Sequence, residues 1–517
     1  MLTLSDSVAT HARLTPQRLA ARDSRRQLCW ADWDERATRL ANGLLALDLA
    51  AGDRVGVLAH NALEWLEIYT ALDRGGLVAV PINFRLRGAE IAYIVGQSGM
   101  RALIAHHELV GEVESRRAEL PVAGGRYVRF GGGGAAPVGW VDYEALIAGA
   151  SPASTALPGS PGDLFALMYT SGTTGRPKGA MRSHAGNALL ALATALEFGL
   201  SRDDTGLLVM PLCHANSLYF MLTLAMLGAT TVVGDRHSFD AEALLALLAR
   251  DRISFTSLVP THYTMMLDLP AAAQSRYDLA AVDKLLISSA PAREDTKLAI
   301  MDLFPNSRLF ELYGSTEAGW VTVLRPHEQL ARLGSVGREW TGSGPIRLLD
   351  ADGREVPDGE IGELHSRTSY VFDGYWNDPV QTAAAFRGAW CSVGDMARRD
   401  ADGFIHLADR KSNMIISGGE NVYPSEVEQV LAGHPAVQDV AVVGLPDAKW
   451  GEAVCAVVVL RPGVTAPESA LIEWCRDRIA GYKRPRHVHI IAEAEMPRTA
   501  TGKIQHRVLR DRLTGDI

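Results

Sequence analysis

The chain has 517 residues, of which 47% are hydrophobic and 21% charged, and it carries a formal charge of −9. That length exceeds a single domain of roughly 100–200 residues, and the composition excludes a disordered, collagen-like or membrane-embedded protein. The acidic balance argues against a general nucleic-acid binder, which needs a basic surface.

The N-terminal Met-Leu-Thr-Leu-Ser-Asp has no basic region followed by an apolar stretch, so no secretory signal is read there. Strands and helices then alternate. Val55–Leu58 reads as a strand after the turn Gly52-Asp53, Glu64–Leu72 as a helix and Val78–Pro81 as a strand. Glu90–Val95 follows as a helix and Ala102–Ala105 as a strand. The alternation predicts layered α/β structure with mainly parallel pairing. Gly131–Gly134 reads as a surface loop, and the Ser/Pro/Ala-rich stretch Ser151–Pro161 as a connection between two such units. Between Pro211 and Gly234 there is no Asp, Glu, Lys or Arg, which predicts a buried helix and a strand at Thr230–Val233. His214, Asn216, Ser217 and several Thr make that segment too polar for a membrane span.

The last hundred residues differ. Ser425–Leu431 and Glu468–Ile479 read as helices, Val437–Val443 and Val454–Leu460 as strands, a small α+β pattern. A large N-terminal domain over 1–410 and a small mobile domain over 411–517 are expected, with a hinge near Lys411 or Ser412. Residues 411–517 hold 13 basic and 13 acidic side chains, so the whole net charge lies on residues 1–410. Within the small domain, 476–512 holds ten basic against four acidic residues, which fits either a site for a polyanionic small molecule or a solvated face. Five cysteines, Cys29, Cys213, Cys391, Cys455 and Cys475, never fall closer than 20 residues apart. That sparse, odd set fits a reducing, cytoplasmic compartment.

The strongest chemical signal is Tyr169-Thr-Ser-Gly-Thr-Thr-Gly-Arg-Pro-Lys-Gly179, entered from a strand-like Phe165–Tyr169. Gly172 and Gly175 permit backbone angles that turn successive N–H groups into one concavity. Ser171, Thr173 and Thr174 add hydroxyls and Lys178 adds a charge, which together make a phosphate cradle. Pro177 breaks the Walker A pattern, so this is not a P-loop. No Gly-x-Ser-x-Gly elbow and no histidine spacing of a metal site occur, so serine and zinc hydrolases lack support.

Those eleven residues resemble the signature loop of the adenylate-forming enzymes: acyl- and aryl-CoA ligases, peptide-synthetase adenylation domains and beetle luciferases. The resemblance continues in order through Pro211-Leu-Cys-His214, Ser288-Ser-Ala-Pro291, Glu311-Leu-Tyr-Gly-Ser-Thr-Glu317 and Gly374-Tyr-Trp-Asn-Asp-Pro379. It ends with Ser392-Val-Gly-Asp395, Asp409-Arg410 and Pro497-Arg-Thr-Ala-Thr-Gly-Lys503. It implies an acid–CoA ligase that uses ATP, Mg2+ and coenzyme A. Thr170 to Gly175 and Lys178 would hold phosphates; Ser289, Ala290 and Pro291, with Glu311, Leu312, Tyr313 and Gly314, would line the nucleotide. Tyr313 would stack on adenine, or fill the core. Glu317, a hard oxygen ligand, suits Mg2+, with Thr170 as a weaker contact, while Thr316 offers its hydroxyl to the α-phosphate. Asp395 would accept from the ribose hydroxyls, and Arg410 would support ribose or phosphates, or form an interdomain ion pair.

The resemblance also implies two half-reactions. A carboxylate first attacks the α-phosphorus and pyrophosphate leaves; a thiol then attacks the acyl carbonyl and AMP leaves. Lys503, Lys178, Thr316 and Glu317 would serve adenylation. After rotation of the small domain, Ser417, Gly418 and Gly419 would line the thiol tunnel. His214, Ala215, Ser288 and Gly314 would form the acyl pocket. Ala215 stands where amino-acid-activating domains place an Asp, so an apolar monocarboxylic acid, aliphatic or aromatic, is expected. Two alternatives remain: a stand-alone enzyme loading a carrier protein, and a non-catalytic nucleotide-binding homologue. A homodimer is compatible with each of these readings, and neither a nucleic-acid partner nor a membrane span is expected.

Overall fold

The computed structural model describes residues 3–153, 160–170, 177–289, 292–417, 420–476, 478–499 and 502–515. They pack as two units, one of Met1–Pro345 with Ser366–Cys391 and one of Ile346–His365 with Ser392–Ile517. Residues 392–410 therefore pack with the C-terminal part of the chain.

The larger unit holds two extended sheets. In the first, nine strands run in the order Arg338–Glu339, Gly319–Leu324, Arg308–Ser315, Lys284–Ser288, Phe255–Leu258, Thr205–Leu208, Thr230–Val233, Leu19–Arg22 and Gln27–Cys29. In the second, seven strands run in the order Trp140–Asp142, Tyr127–Phe130, Ala102–His106, Arg54–Leu58, Val78–Ile82, Leu164–Thr170 and Lys178–Ser183. Pairing is parallel in the middle of both and antiparallel at the ends that carry Gly319–Leu324 and Lys178–Ser183. The expected alternation of strands and helices thus yields the expected layered α/β class, because each crossover helix returns the chain to a parallel neighbour.

The charge-free stretch forms the helix Ala215–Leu227 and the strand Thr230–Val233. Leu218, Tyr219, Phe220 and Met221 are fully buried there. They join Trp30, Trp33, Trp65 and Trp340 in the largest apolar core. Two of the buried indoles find partners there: Trp320 Nε1 donates to Thr194 Oγ1 at 2.9 Å, and Trp33 Nε1 to Thr70 Oγ1 at 3.0 Å. The helix Glu64–Arg74 is buried along its whole length despite its charges. Glu67 accepts from Arg36 Nε at 2.8 Å and from the Tyr143 hydroxyl at 2.7 Å, and Arg26 and Arg36 hold its carboxyl low against the opposing effect of burial.

The smaller unit has a four-stranded antiparallel sheet over Arg347–Leu349, Ile361–His365, Asp395–Arg399 and Ile405–Arg410, and a five-stranded sheet centred on Gly451–Leu460. The helix expected over Glu468–Ile479 ends earlier, at Trp474. Trp474 Nε1 donates to the Val430 carbonyl at 2.8 Å, and the Arg478 guanidinium caps the Trp474 carbonyl at 2.7 Å while lying over its ring. A side chain thus takes the carbonyl that a further helical turn would have used. Among the described residues no helix is long and apolar enough to cross a membrane.

Candidate active site

Ser171, Gly172, Thr173, Thr174, Gly175 and Arg176 lie outside the described residues, but both flanks of that loop are placed. Leu164–Thr170 and Lys178–Ser183 form an antiparallel pair that ends with Thr170 opposite Lys178. Thr170 Oγ1 donates to Glu317 Oε1 at 3.1 Å, and the Tyr375 hydroxyl donates to the same oxygen at 2.9 Å. Glu317 is only 6% exposed. Its two described side-chain donors are neutral hydroxyls on one oxygen, Oε1. Burying an anion with neutral donors is costly unless a cation completes the site. A hard carboxylate beside a threonine hydroxyl suits Mg2+.

Two parts of this arrangement were not apparent from the motifs. Tyr375 reaches Glu317 because residues 374–376 run as an extra partner along Lys178–Ser183. Met181 N donates to the Gly374 carbonyl at 2.9 Å and Trp376 N to the Gly179 carbonyl at 2.8 Å. Arg182, 1% exposed, sits behind the motif. Its Nη1 lies 3.4 Å from the carbonyls of both Thr316 and Glu317, and its guanidinium lies over the Tyr219 ring. The Tyr219 hydroxyl also donates to the Thr316 carbonyl at 3.2 Å. Both features join strands far apart in sequence, and an arginine inside a strand carries no motif signal. Lys178 is held by Gln381 Oε1 at 2.7 Å and lies over the Tyr375 ring.

Within the strand Arg308–Ser315, Leu312 is buried and Tyr313 and Gly314 are half-buried. The register slips between Tyr313 and Gly314. A Cβ on Gly314 would lie 2.3 Å from the Gly319 carbonyl oxygen, so the bulge requires glycine there. Glu311, by contrast, is engaged with its own cation: its carboxylate pairs with the buried Lys297 ammonium and accepts from Ala292 N at 3.5 Å. Burial pushes its carboxyl up and Lys297 draws it back. It anchors the segment that follows Ala290 and Pro291, themselves outside the described residues. Ser289 holds φ +70°, a left-handed angle unusual for serine.

On the acyl side, His214 is the N-cap of Ala215–Leu227. His214 and Ala215 are both half-buried, whereas Leu218 and Tyr219 belong to the core. Ser288 accepts from Asn216 Nδ2 at 2.9 Å and lies 3.0 Å from Ser257 Oγ, a buried polar trio at the ends of three elements. Ser257 is the member to which sequence reasoning gave no role.

In the smaller unit, Asp395 and Arg410 are paired residues of neighbouring strands, with Asp395 Oδ1 3.1 Å from Arg410 Nε. Lys503 follows a tight loop in which its N–H donates to Thr499 Oγ1 at 3.1 Å and Thr499 N to its carbonyl at 2.7 Å. The residue as a whole is exposed, yet its ammonium is pushed below the ordinary lysine range by burial and by Arg410, against the pull of Asp395. Asp409 accepts from Ser425 N at 3.0 Å and Asn413 Nδ2 at 3.1 Å, on either side of the exposed Ser412. Ser417 is buried in a short hairpin strand, and Gly418 and Gly419 lie outside the described residues.

Comparison with known proteins matches residues 8–376 to the AMP-binding enzyme family and residues 426–503 to the AMP-binding enzyme C-terminal domain. A feruloyl-CoA synthase of Amycolatopsis sp is 37% identical over 97% of each chain. A long-chain-fatty-acid–CoA ligase of Mycobacterium tuberculosis is 33% identical over 95% of this chain and 94% of its own. Among solved structures, an anthranilate CoA ligase in complex with anthranoyl-AMP superimposes with a TM-score of 0.90 at 27% identity, over 100% of this chain and 98% of its own. The o-succinylbenzoate CoA synthetase of Bacillus subtilis, in complex with ATP and a magnesium ion, gives 0.84 at 27% identity over 98% and 99%. Sequence, motif order and both structural units agree: the chain belongs to the AMP-binding enzyme family and carries that family's C-terminal domain.

Proposed function

We propose that this chain is an AMP-forming acid–CoA ligase using ATP, Mg2+ and coenzyme A. The observation that carries the reading is the buried Glu317 carboxylate, held by two neutral hydroxyls beside Thr170 and Lys178. A carboxylate substrate attacks the α-phosphorus of ATP, the bond to pyrophosphate breaks, and an acyl-adenylate forms. The CoA thiol then attacks the acyl carbonyl, AMP departs and a thioester remains. Both reactants of the first step are anions, so catalysis there is charge neutralisation and positioning. Mg2+ bound at Glu317 and Thr170 would supply part of that charge. Lys178 and Lys503 supply the rest, and the Thr316 hydroxyl orients the α-phosphate. Asp395 and Arg410 serve the ribose, Tyr313 the adenine, and Ser417 with Gly418 and Gly419 the thiol. The small domain pivots at Lys411 or Ser412 between the two steps.

The substrate is an apolar monocarboxylic acid, aliphatic or aromatic. Ala215 supports this, because it offers neither a carboxylate for an α-amine nor a cation for a second carboxylate. Pyrophosphate release measured with a panel of acids, first without and then with CoA, tests the whole reading. Apolar acids should exceed amino acids and dicarboxylates by at least about tenfold in kcat/KM, roughly 1.4 kcal/mol of discrimination. Equal rates with free amino acids overturn the substrate assignment, and a thioester formed only on a carrier protein overturns the CoA assignment. The enzyme works in the cytoplasm, as a monomer or homodimer that light scattering distinguishes.

A further inference from the structure

We propose that the chain carries a second metal site, unrelated to the nucleotide, in which His60, Glu108 and His237, extended by His106, hold a zinc-class transition ion.

The ligand atoms of His60, Glu108 and His237 all lie within 4.8 Å of one another. Glu108 Oε2 is their common point: His237 Nδ1 is 3.4 Å away, His60 Nε2 3.7 Å and His106 Nδ1 3.7 Å. Zinc bonds of about 2.0–2.1 Å to nitrogen and 2.0–2.2 Å to oxygen place neighbouring tetrahedral ligands about 3.3–3.5 Å apart. The four residues come from separate stretches, so no spacing in the sequence announces them. His60 follows the strand Arg54–Leu58, His106 ends the adjacent parallel strand, Glu108 lies in the turn after it, and His237 follows Thr230–Val233 of the other sheet. Ligands gather outside the carboxyl ends of parallel strands for this topological reason. The two sides are already tied, since Asn61 Nδ2 donates to the Gly234 carbonyl at 3.2 Å.

Two further observations favour a built site over accidental ring packing. The His60 and His106 side chains are 17% and 10% exposed, and the Nδ1 atom of each is buried with no hydrogen-bond partner. The orphaned His106 Nδ1 is the atom that faces Glu108, so an ion there would recover the free energy that a buried nitrogen without a partner costs, while His60 would bind through Nε2. The Gly131–Gly134 loop, to which the ligase reading gives no role, supplies the backing. A Cβ on Gly131 would fall 2.7 Å from His106 Nε2, and one on Gly132 2.7 Å from the His107 ring. Only glycine lets the main chain support those imidazoles so closely.

The donor set also selects the ion. Mg2+ or Ca2+, which rely on oxygen ligands, gain little from one carboxylate among imidazoles. A borderline-soft ion gains from imidazole coordination itself. Access exists, because the His237 and Glu108 side chains are 51% and 42% exposed.

The test uses the full chain, stripped with a chelator and titrated with Zn2+ alone against a chromophoric competitor, with bound metal counted by mass spectrometry. One Zn2+ per chain is expected. His237→Asn, a change at a half-exposed position, and His60→Ala should each weaken binding at least about tenfold, and Gly131→Ala should do so by displacing His106. Exposed His489→Ala should leave binding unchanged. Co2+ in place of Zn2+ should give visible absorption bands that His237→Asn removes. Absence of stoichiometric Zn2+ in the parent, or binding unaltered in His237→Asn, overturns the proposal.

Discussion

Glu311 and Glu317 stand at the two ends of one hairpin motif, and both are nearly buried, 3% and 6% exposed. Their surroundings are opposite. Glu311 is neutralised by the Lys297 ammonium, an arrangement complete in itself. Glu317 receives only hydroxyls from Thr170 and Tyr375 among its described side-chain partners. The contrast teaches how a structural carboxylate differs from a functional one of equal burial. The first brings its counter-ion in the fold, and on the reading proposed above the second leaves that position for Mg2+.

The comparison breaks most directly by removing one charge at a time. Glu317→Gln retains shape and both hydroxyl donors but not the anionic oxygen, so pyrophosphate release should fall at least about a hundredfold with little change in melting. Glu311→Gln should do the reverse. It strands the Lys297 ammonium in the core and should cost about 3–5 kcal/mol of stability, read by denaturant unfolding, while the folded fraction adenylates nearly normally. Equal activity losses in the two variants would end the distinction.

Lys503→Ala moves the test to the smaller unit. It should cripple adenylate formation from acid and ATP, yet leave conversion of pre-made acyl-adenylate and CoA to thioester nearly intact in single-turnover assays. Loss of both half-reactions together, with an unchanged melting temperature, would refute the division of labour. A smaller effect is expected at Tyr375. Tyr375→Phe removes one hydroxyl donor to a charged oxygen, a bond worth about 1.5–3 kcal/mol, so adenylation should drop about tenfold or more and the Mg2+ requirement should rise. An unchanged Mg2+ dependence would show that Tyr375 only packs.

The sequence carried the alternation of strands and helices, the charge-free buried helix and the order of the motifs, because each is written in adjacent residues. What it could not carry is convergence. Tyr375 meets Glu317, Arg182 backs Thr316, and His60 meets His237 only after strands from different sheets are laid side by side. The helix from Glu468 stops at Trp474, short of Ile479, where the Arg478 guanidinium takes the Trp474 carbonyl and the indole reaches the Val430 carbonyl, forty-four residues upstream. Glu311 shows the converse. Its motif suggested the nucleotide, while its immediate chemistry is the ion pair with Lys297, a partner on a different element.

The smallest expected effect lies in the C-terminal helix His506–Thr514, again a pairing of charges, but one in which the fold raises a histidine. His506 Nε2 lies 2.7 Å from Glu428 Oε1 on the helix Pro424–Ala432. Burial pulls its pKa down, but the Glu428 hydrogen bond and charge, with Asp409 behind them, raise it above the ordinary 6.5. A histidine raised in the folded state contributes stability that is fully present below its unfolded pKa and is lost as pH rises through the folded one. His506→Ala should therefore cost about 1 kcal/mol near pH 6 and less near pH 9, read as the change in unfolding midpoint between the two. Glu428→Gln should flatten the same pH dependence, since it removes the charge that raises His506. A cost independent of pH in both variants would mean that the imidazole contributes packing alone, and that the helix is held by Leu509, buried against the sheet, rather than by the ion pair.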